Sequence, residues 1–418
     1  MAQYKSDFLN VLEQRGMIHQ ISDAEALDKK LSEGMVTAYC GYDATAKSLH
    51  IGNLMSIIML HWFQECGHRP LTLMGGATTM LGDPTGKDEL RQMKTLDEIN
   101  GNIASIKTAF DSFLTYGDSG NGAQMVNNAD WMLEFKYIDF LRDYGRHFSV
   151  NRMLTMDSVK LRLEREQPLS FLEFNYMILQ AYDFVELNKR FGTSLQLGGS
   201  DQWGNMVGGI DLGRRISGAE LFVLTCPLLT KANGEKMGKS VGGAIWLNGD
   251  MLSPYDYYQF WRNCDDADLS KLIRIFTKLP MDEITKIDAL EGAEMNEGKK
   301  ILAYEATKWL HGQAAADDAA ETARKTFEQG SVGADLPRVE VKLAQLQGEG
   351  VTVLQAFQDT GLASSGGEVK RLIKGGGARV NDKSLSDMGY VLSAADVTED
   401  GYIKLSSGKK RHALLVAV

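Results

Sequence analysis

His50-Ile51-Gly52-Asn53 lies near the N-terminus of the chain, and Lys236-Met237-Gly238-Lys239-Ser240 lies just past its middle. Either segment alone is a weak signal. Together, in this order, they read as the two halves of one phosphate clamp. A histidine in the first turn of a helix joins a side-chain donor to unpaired backbone N–H groups and the positive end of the helix dipole, all suited to phosphate. Thr45 adds a hydroxyl just before it. Gly52 lets a flat base or a ribose approach the backbone, and Asn53 offers one neutral amide donor. In the second segment, Lys236 and Lys239 flank Met237-Gly238 and precede Ser240, with Gly234, Gly242 and Gly243 around them. Two ammonium groups on such a mobile loop can neutralise a triphosphate only while it reacts, which is how electrostatic catalysis works. The competing reading is a solvated Lys-Gly loop. The chain has neither a G-x-x-x-x-G-K-[ST] nor a G-x-G-x-x-G, so neither a P-loop nor a dinucleotide fingerprint explains these residues.

The elements that must position them follow from periodicity. Residues 36–42 form a β-rich apolar run ending in glycine, the turn Asp43-Ala44-Thr45-Ala46 follows, and Ile51, Leu54, Ile57, Ile58 and Leu60 recur at helical spacing. Ser48 is the expected N-cap. A second strand, 70–74, runs into Gly75-Gly76-Ala77-Thr78 and Gly82-Asp83-Pro84. A third, 194–197, runs into Gly198-Gly199-Ser200-Asp201-Gln202. Strands alternating with helices of this length predict a parallel α/β sheet, with the ligand pocket beyond the carboxyl ends of the strands. From Ser253 the texture becomes helical to about Gly312. Residues 314–335 read as a last helix and a linker, and a compact tail with a helix over 369–373 and a strand over 378–381 begins near Val351.

At 418 residues the chain exceeds one compact core, and 44% apolar content is that of a globular protein. The longest apolar run, 54–63, is too short to span a bilayer, so no membrane partner is expected. No apolar signal opens the chain, and Cys40, Cys66, Cys226 and Cys264 have no metal or disulfide spacing. A cytoplasmic location without a structural metal is expected. The net charge of −10 excludes a general polyanion binder, but two basic stretches stand out. One runs from Arg142 to Arg165 through Arg146, Arg152 and Arg162. The other is the tail, 351–418, where nine Lys/Arg face seven Asp/Glu, a net +2.

The two segments resemble the HIGH and KMSKS signatures of class I aminoacyl-tRNA synthetases. Tyr39-Cys40-Gly41-Tyr42-Asp43, Gly75 to Thr78, Gly82-Asp83-Pro84, Phe174 to Asp183, and above all Gly198-Gly199-Ser200-Asp201-Gln202-Trp203-Gly204-Asn205 are similar to the bacterial tyrosyl-tRNA synthetases. The likeness covers essentially the whole chain. It implies a Rossmann-like catalytic domain over 1–225 with a dimer-interface insertion near 112–150, and a lysine-signature loop over 226–250. A helical anticodon-side domain over 251–320, a linker over 321–350 and an α+β RNA-binding domain over 351–418 would follow. It also implies ATP with accompanying Mg²⁺, L-tyrosine, tRNA(Tyr) and a homodimer.

Carried over residue by residue, the resemblance gives Tyr39 and Asp183 to the phenolic hydroxyl of tyrosine. Asp83, Tyr176, Gln180 and Gln202 would hold its α-ammonium. Cys40, Gly41, Asp43, Gly52, Asn53, Gly199 and Asp201 would line the nucleotide, with His50 and Lys239. Thr45, His50, Lys236, Lys239 and Ser240 would act on the phosphates, and Asn53 would join them as a catalytic residue from the nucleotide side. Arg146, Arg152, Arg162, Arg371, Lys374, Arg379 and Lys410 would contact RNA. Asn53 stands where the family usually has a second histidine, and its amide can occupy the ring-nitrogen donor position. Gly238, Met237 and Ser240 vary the lysine signature without touching the lysines, and Ser56 keeps the hydroxyl of a frequent threonine. A tryptophanyl enzyme would share this fold, but Tyr39 with Asp183 suits a phenol better than an indole. A small-molecule nucleotidyltransferase would not need the basic tail, and a non-catalytic relative would have lost its lysines.

Overall fold

The structure is a computed structural model. It describes residues 4–83, 94–118, 120–232, 234, 237–240, 243–328, 336–398, 400–408 and 411–418, with the backbone alone for 157, 158, 239, 240 and 326–328. Its central sheet has six strands, β1 (Gln20–Ile21), β2 (Thr37–Tyr42), β3 (Arg69–Met74), β4 (Gln124–Asn127), β5 (Leu195–Gly199) and β6 (Phe222–Cys226). Their order is β1-β6-β5-β2-β3-β4. All neighbours are parallel except β1, which closes the edge antiparallel to β6. The chain runs outward from β2 through β3 to β4, then returns to build β5 and β6 on the other side of β2. The order therefore reverses between β2 and β5, where open parallel sheets bind ligands.

Alternation along β2 divides its side chains between two cores. Ala38, Cys40 and Tyr42 join the core beneath the Ile51–Glu65 helix, with Ile57, Ile58 and Phe63, while Tyr39 joins the opposite one, with Leu71, Leu73 and Phe184. On that second face the Phe171–Phe191 and Trp203–Ser217 helices pack closely. A side chain at Gly209 would have its Cβ 2.9 Å from the Phe184 ring, so glycine sets their separation.

The Ile51–Glu65 helix starts later than its sequence suggests. His50, not Ser48, is the N-cap, and Ser48 instead gives its hydroxyl to Asn248 Oδ1 at 2.8 Å. Ser48 is fully buried, and the same hydroxyl oxygen accepts the Asn248 backbone N–H, so a distant segment outcompetes the local cap.

Five helices, Pro254–Arg262, Asp266–Phe276, Met281–Asp288, Met295–His311 and Gln313–Glu328, build the next layer around Tyr257, Trp261 and Phe276. Arg15 ties it to the N-terminal helix. Its guanidinium donates to the carbonyls of Arg274 (2.7 Å), Thr277 (2.9 Å) and Leu279 (3.0 Å) and lies 4.3 Å over the Trp62 ring. These carbonyls are orphan acceptors at a helix C-terminus, which a cation satisfies. Burial pulls the Arg15 pKa down to about 10.

The tail has its own core, with Val353, Phe357, Val369, Ile403 and Leu415. Its five-stranded sheet reaches back into the span read as linker. Arg338–Val341 pairs parallel with Arg411–Ala417, and Leu343–Gln347 is helical. The edge strand was illegible because it alternates charged and apolar residues (Arg338-Val339-Glu340-Val341) and acquires its partner only from the chain's last strand.

Arg15→Ala is expected to destabilise the protein by about 3 kcal/mol, since three buried or part-buried carbonyls lose their donor. Denaturant unfolding measures this, and Arg15→Lys should recover little, because one ammonium cannot span the three acceptors.

Candidate active site

A cleft of about 720 Å³ opens at the carboxyl ends of β2 and β5. Every described residue proposed for the amino acid or the nucleotide other than Lys239 lines it, from Tyr39 through Thr45, His50 and Asn53 to Asp183 and Gln202. Lys236 lies outside the described residues, and Lys239 and Ser240 are described through their backbone alone.

The closed end of the cleft is built from buried polar groups. Asp183 is 2% exposed. Its Oδ1 accepts the Trp131 indole N–H at 2.9 Å and its Oδ2 the Asn128 amide at 3.0 Å. Burial lifts its carboxyl to about 7, while those two donors pull the other way. Tyr39 sits beside it. Burial, then the Asp183 charge, raises the Tyr39 pKa well above the ordinary phenol value, so its proton stays on oxygen. Among the described residues the Tyr39 hydroxyl has no hydrogen-bond partner, and neither have Gln180 Oε1 and Gln196 Oε1. Gln196 faces the same way, because its Cα is the register partner of Tyr39 across β2 and β5. Buried polar atoms of this kind are costly unless a ligand completes them. A phenol donor beside a carboxylate with unused lone pairs suits a hydroxyl that both accepts and donates.

Toward the mouth, carboxylates accumulate. Asp43 accepts from Thr78 Oγ1 at 3.0 Å on one oxygen and from the Tyr176 hydroxyl at 3.2 Å on the other. A Cβ on Gly75 would lie 2.4 Å from that first oxygen, so glycine is required for the pair to form. Gln202 donates to Asp83 Oδ2 at 3.0 Å and accepts from Asn205 at 3.2 Å. With Asp183 and Asp201, four carboxylates line one cleft, a field that draws in a cation. Tyr176 thereby links two groups read separately from sequence, because it aims at Asp43 rather than standing alone in the ammonium site.

The opposite wall is the N-terminus of the Ile51–Glu65 helix. His50 Nδ1 accepts the Gly52 N–H at 3.0 Å, and Asn53 Oδ1 accepts the His50 N–H at 3.2 Å. This wall is hydrogen-bonded to the segment after the lysines. Ile51 N–H donates to Ile245 at 2.9 Å, Leu247 N–H to Leu49 at 2.9 Å, and Ile245 N–H to Gly238 at 3.1 Å. Gly238 adopts φ 151°, a conformation glycine supplies readily. Lys239–Ser240 pairs antiparallel with Gly243–Ala244. The described backbone of the two distant signatures is thus one connected structure.

The predicted RNA contacts divide. Arg146, Arg371 and Lys374 are exposed, Arg379 is half-buried, Arg152 is exposed and paired with Asp211, and Lys410 lies outside the described residues. Arg162 is a correction. It is 4% exposed and bonded to Glu173 at 2.9 Å, so it cannot meet RNA. Glu173 closes the capping box of the Phe171–Phe191 helix with Ser170, and Arg162 neutralises it there. Tyr182 is a core aromatic, bonded to Glu186 and packed edge-to-face against Phe135, Phe140 and Tyr144.

Sequence reasoning missed Thr78, Asn128, Trp131, Gln196 and Asn248. Asn127-Asn128 at the carboxyl end of β4 was the available signal, but that strand is short and half-polar, and no apolar run marked it. Trp131→Phe, which removes one of the two donors on Asp183, is expected to raise that carboxyl's pKa further above about 7. Infrared titration of the carboxyl band should show a larger protonated fraction at neutral pH.

Residues 31–328 match the family model described as tRNA synthetases class I (W and Y), and residues 326–415 match that of the tyrosine–tRNA ligase SYY-like C-terminal domain. The chain is 58% identical over 415 residues to the tyrosine–tRNA ligase of Bradyrhizobium diazoefficiens, covering 99% of both. It is equally similar, at 58% over 415 residues and 99% of both, to that of Brucella abortus. Among solved structures, a C-terminally truncated mitochondrial tyrosyl-tRNA synthetase from Aspergillus nidulans superposes with a TM-score of 0.69 at 32% identity, over 77% of this chain and 94% of that one. A tryptophanyl-tRNA synthetase from Encephalitozoon cuniculi, 14% identical with a TM-score of 0.54 over 76% of this chain and 91% of that one, shares the fold.

Proposed function

We propose how the residues of this cleft divide the work of tyrosine–tRNA ligation, from the premise that the chain belongs to the class I tRNA synthetases of the tryptophan and tyrosine type. The enzyme activates L-tyrosine with ATP to tyrosyl-adenylate and pyrophosphate, then transfers tyrosine to the 3′ end of tRNA(Tyr). The observation that most supports the amino-acid choice is the buried, unpartnered Tyr39 hydroxyl beside Asp183.

In this reading Tyr39 donates to the phenolic oxygen of the substrate and Asp183 accepts its proton. Phenylalanine would leave both buried groups unpaired, which costs more than a lost contact. The ammonium lies among Asp83, Tyr176, Gln180 and Gln202, where Gln180 Oε1 awaits a donor. Gln202, which donates to Asp83, acts by holding that carboxylate. The nucleotide lies along Cys40, Gly41, Asp43, Gly52, Asn53, Gly199 and Asp201. The tyrosine carboxylate attacks the α-phosphorus directly, so no protein nucleophile is needed and catalysis is positioning plus charge stabilisation. Thr45, His50, Lys236, Lys239 and Ser240 take up charge on the departing pyrophosphate, and Mg²⁺ arrives with ATP as part of the substrate.

Arg146, Arg152, Arg371, Lys374, Arg379 and Lys410 hold tRNA through its phosphates, so affinity should fall as salt rises. The enzyme works as a cytoplasmic homodimer. Supporting this, Leu133, Tyr137, Ile138, Val150 and Phe171 are exposed, with Ile138 at 70% and Phe171 at 68%. That is an apolar surface of the kind a second subunit covers. Phe171 lies outside the 112–150 insertion, at the start of the Phe171–Phe191 helix.

ATP–pyrophosphate exchange across the common amino acids should respond to tyrosine; exchange with tryptophan instead would overturn the reading. Asp183→Asn is expected to narrow discrimination against phenylalanine on the order of tenfold or more, and unchanged selectivity would remove Asp183 from the site. Ile138→Glu should shift sedimentation from dimer to monomer.

A further inference from the structure

No substrate contact is assigned to the Leu96–Asp111 helix, yet two parts of the cleft hang from it. Its apolar side, with Ile99, Ile106 and Phe110, joins the core on the Cys40 face of β2, where the Phe110 ring meets Tyr42 edge-to-face at 5.0 Å. A second side is polar. Asn102, Ser105 and Thr108 recur at every third residue, so they lie on successive turns of one side of the helix. Thr95 and Glu98 close a capping box at its start, which fixes where that row begins.

Each end of the row holds a different segment. Asn102, 8% exposed, donates its amide to the Ala44 carbonyl at 2.8 Å. Ala44 stands between Asp43 and Thr45, which both line the cleft, and its own N–H donates to Thr79 Oγ1 at 2.9 Å. At the other end the buried Asn248 donates to the Ser105 carbonyl at 2.9 Å and to Thr108 Oγ1 at 3.1 Å. From Asn248 the chain leads back to the lysine segment. Leu247 N–H donates to Leu49 and Ile245 N–H to Gly238, the residue before Lys239. Asn102 and Ala44 are 58 residues apart and Asn248 and Ser105 are 143 apart, so no local structure requires either bond. A neutral amide on a short stem fixes its partner without adding charge near the nucleotide.

We propose that the Leu96–Asp111 helix is a brace that sets the spacing between the turn at 43–46 and the strand carrying Lys239, with Asn102 and Asn248 as positioning residues for adenylate formation. The proposal rests on the reading above, in which the turn meets the nucleotide and Lys239 the departing phosphates. Neither asparagine touches substrate in this scheme. The Asn102 amide is spent on Ala44, and that of Asn248 on the helix. What they supply is geometry. A reaction catalysed by placement loses rate when its gripping groups shift by ~1 Å. The closed end of the cleft is held separately, since Asn128 and Trp131 fix Asp183 from beyond β4. The brace therefore governs how the nucleotide reacts and not how tightly tyrosine binds.

Asn102→Ala and Asn248→Asp each release one end of the brace; the aspartate keeps an acceptor for Ser48 and loses the donor to Ser105. Single-turnover formation of tyrosyl-adenylate is expected to slow about ten- to thirtyfold in both. The dissociation constant for tyrosine, measured by equilibrium dialysis without ATP, should stay within about twofold of wild type. A brace severed at either end no longer sets a spacing, so the double variant should be no more than about threefold slower than the worse single one. Thr108→Val, at an exposed position, should slow the same step about threefold. Hydrogen exchange of the Ile245 and Leu247 amides, which needs no substrate, should quicken in Asn248→Asp. Unchanged adenylate formation, a parallel loss of tyrosine binding, losses that multiply in the double variant, or unquickened exchange would each overturn the brace. If the buried variants do not fold, an unchanged rate in Thr108→Val overturns it alone. Absence of tyrosine-dependent adenylate formation in the wild type would instead overturn the reading of function.

Discussion

The hydrogen bonds that stitch 49–51 to 245–247 are the contact on which the rest of the site depends. They join the start of the signature helix to the exit of the lysine segment across nearly two hundred residues. The buried Ser48–Asn248 pair reinforces them. Asn248 spends its amide on the Ser105 carbonyl and Thr108 hydroxyl of the Leu96–Asp111 helix, while its carbonyl accepts from Ser48. Three parts of the chain meet at one buried polar knot, and a knot of this kind is stable only when all its members are satisfied. The helix N-terminus thereby keeps a fixed relation to the backbone at Gly238 and 245–247.

The cleft is polarised along its length. Four aspartates line one part of it and the N-terminus of the Ile51–Glu65 helix forms the opposite wall, the first meeting amino acid and ribose and the second the phosphates in the function proposed above. A zwitterionic amino acid and a polyanionic nucleotide need opposite fields, and the fold supplies them by placing strand ends against a helix start. Direct attack by the substrate's own carboxylate needs little else, because the barrier is lowered by where charges stand rather than by proton transfer.

The unliganded site stores a cost. Tyr39, Gln180 and Gln196 bury polar atoms without partners among the described residues, and Asp183 sits where burial drives its carboxyl toward neutrality. Buried polar groups of this kind weaken a fold, and in the function proposed above they pair with the substrate, so that selectivity and stability oppose each other. The surrounding structure carries that cost through features remote from the chemistry: Arg15 on three carbonyls, the close helix packing at Gly209, and the capping box at Ser170.

Periodicity in the sequence alone determined the parallel sheet, its first glycine-bearing strand exits and the signature helix, because local spacing and turn chemistry encode them. The family resemblance carried by the residues at those exits also brought out many of the residues that line the cleft, though not Thr78, Asn128 or Gln196. What only the tertiary structure decided are the partners. Ser48 looks like a cap until Asn248 claims its hydroxyl, and Arg162 looks like a phosphate contact until Glu173 buries it. Arg338–Val341 looks like linker until the last strand pairs with it, and Asn128 and Trp131 are mute until Asp183 lies between them. All but the Arg162–Glu173 pair depend on a residue far away in the chain, and a hydrogen bond between distant residues leaves no period for the sequence to show.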